Sequence, residues 1–198
     1  MISSVAPSEG KSTVAVNLAK AAANMGQSVL LVDIDLRRPV LHERLGLENQ
    51  TGLTNVLADG MPIEEIVQRV PHWENFFALT AGDVAPDPPR LLSSGRMKQV
   101  MEQLQGCGTY DLIVYDTPPM LAFADARIVA PATDGVILVV KINQTERTGF
   151  RQTLEQAKIS RVPLLGVAVN GITGRGRGEY YYRYYYGKER KSAHKAQV

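Results

Sequence analysis

A glycine, a lysine and a serine stand together near the start of the 198-residue sequence as Gly10, Lys11 and Ser12. A short apolar run over residues 2–5 precedes them, and a segment of helical period follows. At such a junction glycine lets the backbone approach a phosphate closely, and the N–H groups at the start of the helix point toward it. A lysine neutralises the phosphate charge, and a serine hydroxyl can bind the accompanying Mg²⁺. We interpret this segment as a phosphate-binding loop made of Pro7, Ser8, Glu9, Gly10, Lys11, Ser12 and Thr13.

The usual first glycine of a phosphate loop is missing, because Val5 occupies its position. The assignment therefore depends on further residues that could serve the same ligand. Two apolar runs end in aspartates, the first in Asp33 and Asp35 and the second in Asp116. If the first run stays extended, its alternation puts Asp33 and Asp35 on one side, where the pair could hold Mg²⁺ and accept a proton. Asp116 could orient the metal through a water.

Either aspartate site alone is more often a helix cap or a turn than a ligand. Combined with Lys11, however, the aspartates predict a site for a magnesium nucleotide. Ser12, Asp33 and Asp116 are the candidate metal ligands, and Lys11, Asp33, Asp35 and Asp116 are the candidate catalytic residues.

The elements that must position these side chains follow from the hydropathy pattern. Short β-rich apolar runs alternate with segments of helical period, which predicts an α/β fold with a doubly wound, mostly parallel sheet and helices on both faces. Ligands of such sheets bind beyond the carboxyl ends of the strands. Strands are predicted over residues 2–5, 28–34, 76–80, 111–116, 135–142 and 164–170, and helices over 11–25, 91–104, 124–130 and 145–159. Three prolines predict a rigid loop over residues 82–89.

Composition and charge exclude several classes of protein. The 22 basic and 20 acidic residues give a net charge of +2, which offers no argument for a nucleic-acid partner. Cys107 is the one cysteine, so an internal disulfide is impossible and a reducing, cytoplasmic setting is expected. No apolar run reaches the roughly 18 residues of a membrane-spanning helix. We expect one domain over residues 1–178, truncated at its N-terminus because the opening strand is short.

The last residues differ from the rest, and we expect a flexible tail over residues 179–198. Its tyrosines match neither an amphipathic helix nor a half-buried strand, which favours exposure. They are Tyr180, Tyr181, Tyr182, Tyr184, Tyr185 and Tyr186. An aromatic, basic segment could also stack on nucleic-acid bases or sugar rings.

Three motifs of this sequence resemble those of the bacterial tyrosine kinases (BY-kinases) of polysaccharide export. They are the loop Pro-Ser-Glu-Gly-Lys-Ser, the strand end Asp-Ile-Asp-Leu-Arg at residues 33–37 and the strand end Asp-Thr-Pro-Pro at 116–119. Residues 52–57, 81–82, 88–89 and 91–94 are also similar to that family, as is the terminal tyrosine cluster. The resemblance implies a P-loop NTPase-like fold that binds ATP and Mg²⁺. Arg37 is then counted with the nucleotide-binding residues, and Asn170 resembles the base-contacting position, although a buried turn asparagine is equally compatible.

The resemblance also implies an activity and its partners. Asp33 and Asp35 would serve the metal and an incoming tyrosine hydroxyl, and which of them is the base is left open. The family carries autophosphorylation sites in its tyrosine cluster, so the chain's own tail is the expected acceptor in trans within a homo-oligomer. Further expected partners are a transmembrane activator of the polysaccharide co-polymerase type at the inner face of the membrane and a cognate phosphatase. Exopolysaccharide or capsule synthesis would be the regulated process.

Two other functions share many of these residues. P-loop ATPases that position or partition cargo have the same loop, but they place a second lysine near its start where this sequence has Ala6. A non-catalytic, ATP-binding switch module would look much the same in sequence.

Overall fold

The fold is a parallel sheet between two layers of helices, seen in a computed structural model that describes residues 1–172. The predicted tail, with its tyrosines, therefore lies outside the described residues. The strands are β1 (Ile2–Ser4), β2 (Val29–Asp33), β3 (Gln68–Arg69), β4 (Phe76–Leu79), β5 (Leu112–Asp116), β6 (Val136–Lys141) and β7 (Leu164–Asn170). Their order is β3-β4-β2-β5-β1-β6-β7, and only the short edge strand β3 runs antiparallel to its neighbour.

The helices cover both faces of this sheet. They are α1 (Lys11–Asn24), α2 (Leu41–Leu45), α3 (Leu53–Ala58), α4 (Ile63–Ile66), α5 (Pro88–Leu92), α6 (Gly95–Gly106), α7 (Asp125–Val129) and α8 (Arg147–Ile159), with a 3₁₀ turn at Ala130–Ala132. In β2, Leu30 and Val32 pack into the core on one face, while Val29 and Leu31 pack into the core on the other. Burial on both faces explains why this strand is a continuous apolar run.

The predicted doubly wound α/β fold is confirmed, and every predicted strand is present with ends shifted by at most one residue. Three short helices and β3 were missed, because segments of two to six residues carry too little hydrophobic period to be recognised. Among residues 1–172, each helix is too short or too polar to cross a bilayer.

The predicted helix over residues 91–104 is wrong in its extent, because the chain forms α5 and α6 there with a break at Ser93 and Ser94. The Ser94 hydroxyl accepts a hydrogen bond from the Met97 N–H at 3.2 Å and so starts α6 afresh. The predicted loop over residues 82–89 also ends early, because Pro88 and Pro89 form the first turn of α5, where a missing N–H costs nothing. The helix predicted to begin at residue 145 begins at Arg147.

A contact between two glycines gives the first testable prediction. A β-carbon on Gly52 would lie 2.1 Å from the Gly82 nitrogen and 2.4 Å from the Ala81 carbonyl carbon, both of which are backbone atoms. We expect Gly52→Ala to lower the free energy of unfolding by about 1–3 kcal/mol, as overpacking does. Gly95→Ala is the control, because a β-carbon at that position would have open space around it out to 4 Å. Denaturant unfolding that found both variants as stable as the parent would contradict this packing.

Candidate active site

The carboxyl ends of the strands open into a cleft of about 780 Å³. β1 lies between β5 and β6, so the phosphate loop that follows it occupies the middle of this edge. The cleft is lined by Pro7, Ser8, Gly10, Lys11, Ser12, Thr13, Asp35, Arg37, Arg38, Val40, Arg44, Pro119, Phe123, Lys141 and Asn170. The volume is in the range of small-molecule and cofactor sites. Most of the predicted site residues are therefore brought to one place.

Gly10 gives the phosphate loop a backbone conformation that other residues rarely adopt. Gly10 has φ of 95° and directly precedes α1, whose first residue is Lys11. A β-carbon on Gly10 would lie 2.0 Å from the Nδ2 atom of Asn170, so glycine is needed both for the backbone angle and for the close approach. The same Nδ2 donates a hydrogen bond to the Glu9 carbonyl oxygen at 2.9 Å. Asn170 thus holds the loop in addition to lining the cleft.

The Glu9 carboxylate stabilises the loop through hydrogen bonds. Its side chain is fully buried, and one carboxylate oxygen accepts a hydrogen bond from the Ala6 N–H at 2.9 Å. The other oxygen accepts a short hydrogen bond from the Thr145 hydroxyl, which itself accepts from the Lys141 N–H at 2.8 Å. Only the backbone of Glu9 is therefore free to face a phosphate. Its carboxylate instead ties the loop to the segment between β6 and α8.

Lys11 lies among carboxylates at the centre of the cleft. Its ammonium is 2.9 Å from Asp35 Oδ2 and 3.9 Å from Asp116 Oδ1, and it also donates to the Ser12 hydroxyl at 3.3 Å. Burial alone would lower the pKa of this ammonium, but Asp116, Asp35 and Asp33 together raise it above its ordinary value. Lys11 is therefore a permanent positive charge at the place predicted for phosphate binding.

The Asp116 carboxylate is buried without a hydrogen-bond partner among the described residues. Burial raises the pKa of Asp116 to about 6, although the nearby charge of Lys11 acts in the opposite direction. Because an orphaned buried carboxylate is costly, a divalent cation beside Asp116 and the Ser12 hydroxyl fits this donor set.

Asp33 is held by backbone hydrogen bonds at the end of β2, and its predicted part in catalysis and metal binding stays a prediction. The extended strand ends at this residue, and Asp33 Oδ1 accepts a hydrogen bond from the Asp35 N–H at 3.1 Å, so the two side chains do not share one side of a strand. Asp33 Oδ2 accepts from the N–H groups of Val40 at 3.2 Å and Leu41 at 3.1 Å, where α2 begins. Asp33 thus holds the loop around Asp35 and does not line the cleft.

The three carboxylates of Asp33, Asp35 and Asp116 carry more negative charge than the Lys11 ammonium neutralises. Burial and the neighbouring charge of Asp116 raise the pKa of Asp33 to about 8. No group of three or more Asp, Glu, His or Cys side chains within residues 1–172 is arranged to hold a metal ion by itself. A Mg²⁺ ion at Ser12 and Asp116 would therefore take most of its oxygen ligands from phosphates and water, as Mg²⁺ commonly does.

Arg37 lines the cleft, but its guanidinium is already engaged. Nε and Nη2 donate to the two carboxylate oxygens of Asp125 at 2.9 and 3.2 Å, and the guanidinium carbon lies 4.6 Å from the centroid of the Phe123 ring. The hydrogen bond to Asp125 is the main reason that the pKa of Arg37 is raised above its ordinary value. Arg37 therefore belongs to a fixed wall of the cleft.

Sequence reasoning missed several residues of the site. Cleft-lining residues that it did not single out are Arg38, Val40, Arg44, Pro119, Phe123 and Lys141. Asp125 and Thr145 were missed as supporting residues. Arg38 could have been found from its place shortly after the predicted strand 28–34, and Lys141 from its place near the end of the predicted strand 135–142. No local signal marks Asp125 or Thr145, whose partners lie 88 and 136 residues away in the sequence.

Comparison with known proteins assigns the chain to a family. The AAA_31 family, described as an AAA domain, matches residues 8–162. The tyrosine-protein kinase YwqD of Bacillus subtilis (strain 168) is 41% identical over 182 residues, which are 92% of this chain and 76% of that protein. The chain belongs to the bacterial tyrosine-protein kinases. The kinase domain of the Escherichia coli tyrosine kinase ETK superposes with a TM-score of 0.83 at 32% identity, covering 88% of this kinase and 68% of that domain structure.

This kinase also resembles P-loop proteins of other function. The septum site-determining protein MinD from Pyrococcus horikoshii OT3, solved with Mg-ADP, superposes with a TM-score of 0.69 at 29% identity, covering 85% of this kinase and 69% of that chain. The predicted P-loop NTPase-like fold is thereby confirmed. The kinase spans 25% of the length of the full tyrosine-protein kinase etk of Escherichia coli (strain K12).

The contact between Glu9 and Thr145 provides a second prediction. We expect Thr145→Val to lower the free energy of unfolding by about 1–3 kcal/mol, because the buried Glu9 carboxylate and the Lys141 N–H each lose a partner. Thr145→Ser retains the hydroxyl and should remain close to the parent protein. Denaturant unfolding measures both variants. A Thr145→Val variant as stable as the parent would show that these hydrogen bonds do not stabilise the fold.

Proposed function

We propose that this kinase transfers the γ-phosphoryl group of ATP to tyrosines of its own C-terminal segment in neighbouring copies. The observation that carries the proposal is the position of the Lys11 ammonium, 2.9 Å from Asp35 and 3.9 Å from the unpartnered carboxylate of Asp116, at the end of an open phosphate loop. Phosphoryl transfer is catalysed mainly by positioning and charge neutralisation, and this arrangement supplies groups for both.

Each group has a proposed task in nucleotide binding. The N–H groups of the phosphate loop and the Lys11 ammonium bind the β- and γ-phosphates, and Asn170 contacts the base. The Ser12 hydroxyl and the Asp116 carboxylate hold Mg²⁺, which when bound neutralises charge on the phosphate oxygens. Arg37, held by Asp125, contributes to the wall and to the positive potential of the cleft.

Asp35 is the proposed acceptor of the tyrosine proton. A phenol has a pKa near 10 and is mostly protonated at neutral pH, so a carboxylate within reach of the hydroxyl assists its attack. Asp35 lines the cleft, whereas all the hydrogen bonds of Asp33 go to backbone N–H groups. The phenolic oxygen bonds to the γ-phosphorus, the bond from that phosphorus to the β–γ bridging oxygen breaks, and the phenolic proton moves to Asp35.

The tail provides both acceptor and regulation. Its tyrosines, Tyr180 to Tyr182 and Tyr184 to Tyr186, are flanked by Arg183, Lys188 and Arg190. Each phosphate adds nearly two negative charges, so phosphorylation reverses the sign of the tail and charged tails repel one another. We propose that this repulsion loosens a homo-oligomer. In this proposal a transmembrane activator of the polysaccharide co-polymerase type holds the kinase at the inner face of the membrane, and a cognate phosphatase resets it during exopolysaccharide or capsule synthesis.

A labelling experiment tests the transfer. Incubation with ATP and Mg²⁺ followed by mass spectrometry should find phosphotyrosine within residues 180–186, and Lys11→Met should reduce this labelling by at least about 100-fold. Mixing the Lys11→Met chain, which keeps its tail, with an active chain that lacks the tail tyrosines should restore labelling in trans. Release of free phosphate without labelled tyrosine would indicate a partition-type ATPase, and the absence of both would indicate a binding switch.

The metal assignment gives a separate prediction. We expect Asp116→Asn to raise the Mg²⁺ concentration needed for half-maximal tyrosine labelling by about tenfold or more, because the neutral amide is a poorer partner for the metal or its waters. The affinity for ADP without Mg²⁺ should not fall, since the change removes a negative charge from beside the phosphate site. A Mg²⁺ titration of labelling and a metal-free ADP titration measure the two effects. An unchanged Mg²⁺ requirement would remove Asp116 from the metal site.

A further inference from the structure

The cleft has two chemically different sides. β6 and β7 lie on one side of the phosphate loop and contribute Lys141 and Asn170, which offer an ammonium and an amide. β2 and β5 lie on the other side, and the segments that follow them contribute the charged side chains of Asp35, Arg37, Arg38 and Arg44 and a patch of apolar surface from Val40, Pro119 and Phe123. The side with the ammonium and the amide suits a base and a ribose, so the apolar patch is left for a second reactant.

The Phe123 ring is held in place on its wall of the cleft. The Arg37 guanidinium lies 4.6 Å from the ring centroid, and Asp125 fixes that guanidinium through two hydrogen bonds. The Asp125 carboxylate is fully buried, so this ion pair is anchored in the protein interior and does not move freely at the surface. A guanidinium over an aromatic face is favourable and limits the orientations of the ring.

The segment that carries Phe123 is also fixed to the central strand. The Thr117 hydroxyl donates to the Ile2 carbonyl at 3.0 Å, the Met120 N–H donates to the Ser4 carbonyl at 2.8 Å, and the Met120 side chain is fully buried. The Phe123 N–H closes the turn by donating to the Pro119 carbonyl at 3.2 Å. The apolar wall is therefore in place before any ligand binds.

We propose that Phe123, together with Pro119 and Val40, forms the seat for the aromatic ring of the acceptor tyrosine. This inference rests on the proposed function. Asp35 precedes Arg37 by two residues and lines the same cleft, so a ring seated against this wall can present its hydroxyl to Asp35 beside the phosphate loop. A serine or threonine has no ring to fill the seat, and its hydroxyl lies nearer to its own backbone. The wall therefore selects tyrosine over the aliphatic alcohols.

The test separates acceptor binding from nucleotide binding. The full chain, with its six tail tyrosines changed to serine so that they do not compete, is loaded with ADP and Mg²⁺. A fluorescent peptide that copies residues 179–187 reports acceptor Kd by anisotropy, and its phosphorylation by ATP reports KM. We expect Phe123→Ala to raise both peptide values about tenfold, as the loss of a stacked aromatic contact does, and to change the Kd of ADP less than twofold. Phe123→Trp keeps a ring and should retain peptide binding.

A matched change on the opposite wall serves as the control. Asn170→Ala should raise the Kd of ADP and leave the Kd of the peptide near the parent value. The tail serines should stay unlabelled while the peptide is labelled. An effect of Phe123→Ala on ADP alone, or an equal peptide affinity in the parent and in Phe123→Ala, overturns the seat even if tyrosine is labelled. Failure of the native chain to label any tyrosine overturns the proposed function instead, and the seat falls with it.

Discussion

The Lys11 ammonium and the carboxylates around it come from the ends of three neighbouring strands, and the rest of the site depends on this cluster. Moving such charges out of water is costly, and one ammonium does not compensate three carboxylates. Burial is the main reason that the pKa values of Asp33 and Asp116 are raised, and the charge of Asp35 acts in the same direction on both. A magnesium nucleotide would bring both a divalent cation for the carboxylates and phosphates for the lysine. The charges of the site therefore match those of the ligand that we propose.

The phosphate loop keeps its shape through contacts made by distant parts of the chain. The buried Glu9 carboxylate holds the Ala6 N–H and the Thr145 hydroxyl, and Asn170 holds the Glu9 carbonyl. At Gly10 the loop approaches β7 so closely that a β-carbon would lie 2.0 Å from the Nδ2 atom of Asn170. The loop is therefore held from outside by β7 and by the segment between β6 and α8.

The fold alone does not distinguish a tyrosine kinase from a septum site-determining protein, since structures of both superpose on this chain. The differences are in side chains around the cleft. Ala6 stands near the start of the loop, and Arg37 connects the Asp125 carboxylate to the face of the Phe123 ring. The side chains that follow β1, β2 and β5 are therefore the ones on which the proposed function depends.

Local signals were enough to predict the sheet, the phosphate loop and the aspartates at strand ends, because apolar runs and glycines can be recognised without knowledge of distant contacts. It did not distinguish Asp33 from Asp35, since their alternation holds only while the strand stays extended, and the strand ends at Asp33. Only tertiary structure directed Asp33 toward the start of α2 and left Asp35 in the cleft. It likewise brought Asp125 to Arg37 across 88 residues, a contact that depends on how β2 and β5 pair and that no local pattern encodes.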